Sequence, residues 1–163
     1  MKKRRYLTMM VWTRQTPRRA FFFEMLCRLL PGAAAVLYIA TAGWLLFTHA
    51  PELPRFGVVP GLTLALVSLL RQVIKRPRPY EKWPEATPLL RSHHKGRSCP
   101  SRHAASGLIL AAAGFFIHPV LGAVQLLLAL GIGATRVVAG VHFISDVLAG
   151  YGLAALCGLL FLL

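Results

Sequence analysis

Acid is scarce in this chain. Four glutamates and a single aspartate, Asp146, stand among 163 residues, and no cluster of carboxylates is available to cage a divalent cation. Any chemistry the chain performs is therefore expected to need neither metal nor cofactor. Cysteine is equally sparse: Cys27, Cys99 and Cys157 are odd in number and far apart, which excludes a disulfide framework and a thiolate metal site and leaves free thiols. No linker or low-complexity stretch divides the chain, so a single domain over residues 1–163 is expected. A cleavable signal is not expected either. The basic start Lys2-Lys3-Arg4-Arg5 leads into only a short apolar stretch before Arg14, with no small-residue cleavage site.

Apolar side chains are abundant. They make up 56% of the chain and give a mean hydropathy of +0.58, which places it among integral membrane proteins. The 19 Lys and Arg against five acids, a net charge of +14, would suggest nucleic acid in a soluble protein. Here no aromatic-interleaved basic stripe or recognition helix lies outside the apolar spans, so anionic lipid headgroups are the expected partners and nucleic acid is not.

Five apolar tracts run from about Leu29 to Thr48, Val58 to Ile74, Ala104 to Ile117, Pro119 to Val138 and His142 to Leu163. The expected fold is an all-α membrane bundle of about five transmembrane helices. Before them, residues 1–30 form a basic, amphipathic segment. Within it Pro17 to Leu30 mixes Phe21, Phe22, Phe23, Met25 and Leu26 with Arg18, Arg19, Glu24 and Arg28, as an interfacial helix would. The other polar residues are expected to do less: His49 and His118 to cap span ends, Glu81 and Glu85 to lie at the surface, Trp83 to anchor a loop at the interface, and His93, His94, Lys95 and Arg97 to lie in a solvated loop.

Spans joined by short loops alternate in direction. Arg71 ends the second tract, His103 opens the third, Arg136 ends the fourth and His142 opens the fifth, so all four converge on one membrane face. Eighteen of the 19 basic residues belong to that face and only Arg55 lies opposite. The positive-inside rule puts the face in the cytoplasm, although Arg71, Lys75, Arg76, Arg78, Arg102 and Arg136 can serve chemistry instead of topology.

The tract Thr135 to Asp146 carries Arg136, His142 and Asp146 at membrane depth, where an ionisable group is costly unless paired or facing water. His142 and Asp146, four apart, are expected to stack on one helical face. A buried ion pair that only fixes helix packing is the plain alternative. Ser98-Cys99-Pro100-Ser101-Arg102-His103 reads as a helix start whose free N–H groups face the headgroup layer. Arg71 to Pro79 adds further cations. Guanidinium groups, a helix amino terminus, two histidines and one carboxylate suit phosphoryl transfer through a phosphohistidine.

These segments, spanning residues 71–146, resemble the three signature motifs of the type 2 phosphatidic acid phosphatase superfamily: Lys-x6-Arg-Pro, Pro-Ser-Gly-His and Ser-Arg-x5-His-x3-Asp. The resemblance implies a membrane lipid phosphatase in which His142 is the nucleophile, Asp146 its partner and His103 the general acid. Arg71, Arg78, Ser101 and Arg136 would hold the phosphate. Three positions depart from the pattern. Arg71 stands for lysine, Thr135 for serine and Arg102 for glycine, the last adding a cation that enlarges the anion pocket toward a diphosphate or points into the headgroups. Short bacterial members carry such variants, which implies a bacterial cell membrane. The resemblance also implies an extracytoplasmic active face, against the charge count. Undecaprenyl diphosphate is narrowly the favoured substrate, with phosphatidic acid and phosphatidylglycerol phosphate close. A phosphoryltransferase using the same site, or a noncatalytic anionic-lipid binder or transporter, are the rival readings.

Overall fold

A computed structural model describes residues 3–83, 85–90 and 96–163, without the side chain of Arg5. His93, His94 and Lys95 lie outside the described residues. The described chain is helical throughout: α1 (Lys3–Arg14), α2 (Pro17–Phe47), α3 (Leu53–Ile74), the short α4 (Pro79–Lys82), α5 (Arg102–Ile117), α6 (Pro119–Val138) and α7 (Ile144–Gly158), closed by a 3₁₀ turn at Leu159–Phe161. Four segments, Pro17–Phe47, Leu53–Lys82, Pro119–Val138 and Ile144–Phe161, are long and apolar enough to cross a membrane, and the 16-residue α5 is a shorter apolar helix among them. Large aliphatic side chains such as Val36, Ile39, Leu62, Leu127 and Leu156 point outward, as lipid requires.

The amino-terminal region differs from the expected layout. Pro17 to Leu30 is not a separate interfacial helix, because α2 runs unbroken for 31 residues, about 46 Å, and so extends beyond a hydrocarbon layer of about 30 Å. Thr16 caps its start, accepting from the Arg19 amide at 3.3 Å, and Pro17 occupies the first turn. The helix that stands apart is α1, at the basic start of that segment.

Two prolines sit inside spans, and each frees the carbonyl four residues earlier. Pro60 frees Phe56, whose carbonyl accepts from the Tyr38 hydroxyl at 3.0 Å while the two rings stack at 4.7 Å. Pro31 frees Cys27, whose carbonyl accepts from Arg136 Nη2 at 2.8 Å. Both orphan acceptors are therefore met by a neighbouring helix, which fastens α2 to α3 and to α6.

The core lies between α3, α5 and α7, around Phe56, Val59, Val67, Ala105, Ile109, Ala113 and Ala154. Small residues on α5, including Ala104, Gly107, Ala111 and Gly114, are buried and allow the close helix approach typical of membrane bundles. Gly150 shows why: a β-carbon there would lie 2.6 Å from the Ser101 carbonyl oxygen. Lacking one, α7 presses directly on the start of α5. His118 caps α6, its Nδ1 accepting from the Val120 amide at 3.2 Å.

Candidate active site

Helix ends deliver five of the candidate side chains and the N-cap beside them. Arg71 lies in the last turn of α3, Ser101 is the N-cap of α5 with Arg102 and His103 in its first turn, Arg136 lies in the last turn of α6, and Asp146 lies in the first turn of α7. Antiparallel packing brings these ends to one face.

His142 is not on a helix, which corrects the expected stacking with Asp146. Asp146 Oδ2 accepts from the Phe143 amide at 2.9 Å, so α7 begins only at Ile144. Gly140, at φ +77°, turns the chain out of α6 in a conformation open chiefly to glycine. Together they hold His142 in the turn between α6 and α7, where it is buried, with Nδ1 still 3.7 Å from Asp146 Oδ2.

Asp146 is fully buried and well supplied with donors. Arg76 Nη1 reaches Oδ1 at 2.7 Å, while the Ser98 hydroxyl and the Phe143 amide donate to Oδ2. The Arg76 guanidinium also lies 4.8 Å over the Phe143 ring. Ser98 Oγ sits 3.4 Å from His142 Nδ1.

The arginines are held by backbone carbonyls. Arg71 donates to Pro100 at 2.8 Å and also to the carbonyl of Arg97, and Arg78 Nη1 donates to Val141 at 3.2 Å. Arg136 donates to Cys27 as described, and its own carbonyl accepts from the amides of Val141 at 3.2 Å and His142 at 3.3 Å. These three side chains are buried, yet the Nε of Arg78 and of Arg136 finds no partner among the described residues. Buried unpaired guanidinium donors are costly, and a tetrahedral oxyanion would satisfy them.

Ser101 is fully buried; its hydroxyl accepts from the Ala104 amide at 3.5 Å and its amide donates to the Asp146 carbonyl at 2.8 Å. Arg102 and His103 are exposed on an adjoining cleft of about 360 Å³ lined with Leu64, Ser68 and Ser106. A smaller recess of about 100 Å³, lined by Ser68, Arg71, Gln72, Arg97 and Arg102, shares Ser68 and Arg102 with that cleft. Arg97, expected in a solvated loop, thus borders this basic recess.

The roof is α1. Tyr6 is buried, packs its ring against Trp83 and Phe143 at 5.5 and 5.9 Å, and donates to the His142 carbonyl at 2.9 Å. Trp83 is accordingly part of this roof. Glu81 is no bare surface charge: it accepts from the amides of Arg78 at 2.9 Å and Gly96 at 3.1 Å, pinning the loop. Glu85 does lie at the surface, paired with Lys3 at 3.0 Å.

Sequence reasoning missed Tyr6 and Ser98, and named Arg76 among the cations that can serve chemistry without giving it a partner. Neither Tyr6 nor Ser98 carries a local signal, because both act through contacts across the chain. In the turn preceding α7, burial lowers the His142 imidazole below its ordinary range; Asp146 pulls it up and Arg78 pushes it down. Burial, then the charge of Asp146, raises the Tyr6 phenol well above its ordinary range and keeps it a donor.

The model of the PAP2 superfamily matches residues 53–163, from α3 to the end of the chain. Among solved structures, the chain is similar to the one described as the first transmembrane PAP2 type phosphatidylglycerolphosphate phosphatase from Bacillus subtilis. That likeness has 22% identity and a TM-score of 0.77 over 98% of this chain and 82% of that one. Aquifex aeolicus LpxE is similar at 25% identity and a TM-score of 0.66 over 90% of this chain and 87% of that one. No curated protein matches.

Proposed function

From the premise that this chain belongs to the PAP2 superfamily, we propose that it is a membrane phosphatase releasing phosphate from a lipid phosphate or diphosphate through a phosphohistidine. One observation carries this reading: buried Arg78 and Arg136 each keep an Nε with no partner among the described residues, beside a turn holding a buried histidine next to a carboxylate. A phosphoryl oxyanion would meet both donors.

In the proposed reaction His142 Nε2 attacks phosphorus and the bond to the leaving oxygen breaks, with His103 donating its proton to that oxygen. Asp146 holds the imidazole and offsets its developing positive charge. Arg71, Arg78, Ser101 and Arg136 stabilise the phosphoryl oxygens. Water then attacks phosphorus as His103 takes its proton, the phosphorus–nitrogen bond breaks, and phosphate leaves with His142 restored. With a single aspartate in the chain, no step calls for a metal.

The lipid tail would remain between helices while the headgroup enters the open cleft bordered by α3 and α5. Undecaprenyl diphosphate is narrowly favoured, because Arg97 and Arg102 border a recess that shares Ser68 and Arg102 with that cleft and could receive a second phosphate. Phosphatidylglycerol phosphate, the substrate named for the Bacillus subtilis relative, and phosphatidic acid are the close alternatives. The reading includes a cell-membrane location; the basic amino-terminal segment, whose helix α1 roofs the site, argues for a cytoplasmic face, and the family resemblance for an extracytoplasmic one.

The test is phosphate release by purified protein in excess chelator, across the three lipids, beside His142→Ala. Chelator-resistant release that disappears in the variant supports the reading and ranks the substrates. Lipid binding without release from any of them would overturn it.

A further inference from the structure

The direct contact between His142 and Asp146 is long, 3.7 Å from Nδ1 to Oδ2, beyond the span of an N–H···O hydrogen bond. A shorter route runs through Ser98. Its hydroxyl donates to Asp146 Oδ2, and the same oxygen lies 3.4 Å from His142 Nδ1. Ser98 is fully buried, so water does not compete for it.

Proton counting decides the direction of this chain. An ionised carboxylate can only accept, and Asp146 already receives Arg76 and the Phe143 amide. The Ser98 proton is therefore committed to Asp146, and only lone pairs face the imidazole. Nδ1 can satisfy them only as N–H. The other nitrogen, Nε2, must then carry the lone pair. We propose that Ser98 is a positioning residue that bridges Asp146 to His142 and sets the imidazole tautomer with Nε2 free to attack phosphorus. The inference rests on the reading of His142 as the nucleophile and assigns Ser98 a part in it.

Ser98 is itself fixed from both sides. Its amide donates to the Arg76 carbonyl at 2.9 Å, and the Arg76 side chain clasps Asp146. One arginine thus aligns the hydroxyl through its backbone and the carboxylate through its guanidinium. A serine that merely filled space would not need its oxygen between two reacting partners.

The experiment pairs kinetics with spectroscopy. In Ser98→Ala, kcat for lipid phosphate release should fall about 10- to 100-fold, the usual effect of removing a group that orients a reactive histidine, with KM changed little. Ser98→Thr, which keeps a hydroxyl, should recover most of the loss. In ¹⁵N-histidine-labelled wild-type protein, with His142 assigned by its loss in His142→Ala, the neutral ring should carry its proton on Nδ1. That measurement does not depend on how the Ser98 variants fold. Wild-type kcat in Ser98→Ala, an effect confined to KM, or a ring protonated on Nε2 would each overturn the bridge. Undiminished phosphate release by His142→Ala would instead overturn the phosphohistidine reading, so the two failures are distinguishable.

Discussion

The Tyr6 hydroxyl holds the backbone carbonyl of His142 at 2.9 Å across 136 residues of sequence. Tyr6 belongs to α1, which precedes the residues matched by the family model, so a segment outside that match closes over the turn carrying His142.

Replacing Tyr6 with Phe keeps the ring against Trp83 and removes the donor. A buried hydrogen bond of this kind contributes about 1 kcal/mol, so phosphate release should fall roughly three- to tenfold. The melting temperature in detergent should drop only slightly. Assay and melt together check this; wild-type turnover in Tyr6→Phe would reduce α1 to a membrane-surface element.

Pro31 lies on α2, far along the chain from Arg136, yet it leaves free the carbonyl that Arg136 binds. Pro31→Ala would supply an N–H that competes for the Cys27 carbonyl. We expect α2 to be as stable or more so, while Arg136 is held less firmly and KM rises severalfold with kcat nearly unchanged. Steady-state kinetics beside a thermal melt reads both quantities.

Arg102 tests the second phosphate. Arg102→Gly restores the family residue and removes a cation from the recess shared with Arg71 and Arg97. If the recess takes a distal phosphate, kcat/KM on a lipid diphosphate should fall roughly tenfold while that on a monophosphate stays within about twofold. Equal losses on both would assign Arg102 to general headgroup attraction.

The pH profile follows from the direction of the His142 shift. Burial lowers its pKa, with Arg78 adding to the effect and Asp146 opposing it. A nucleophilic imidazole must be neutral, and a lowered pKa keeps it neutral further into acid. The acid limb of kcat/KM should therefore lie below the ordinary histidine value of about 6.5. A limb above that value, measured on free enzyme at low substrate, would contradict the burial of His142.

Much of the bundle was legible before any coordinates. The apolar tracts are long and regular because a segment crossing lipid must satisfy its own backbone hydrogen bonds, as a helix does, and strict alternation of direction puts Arg71, His103, Arg136 and His142 on one face. The boundary at His142 was harder to read, since its spacing to Asp146 fits a helical face. The cap that Asp146 makes on Phe143 and the left-handed Gly140 stop the helix short of it.

Sequence by itself determined the class of the protein, the face on which charge gathers and the candidate residues for meeting an anion, because each depends on hydropathy, period and local spacing. Tertiary structure alone decided that α1 roofs the site through Tyr6, that Ser98 stands between His142 and Asp146, that Arg76 clasps the carboxylate, and that Pro31 readies a carbonyl for Arg136. Such contacts join residues remote in sequence through single hydrogen bonds. A hydrogen bond of that kind leaves no periodic trace in the chain, and only packing brings its donor to its acceptor.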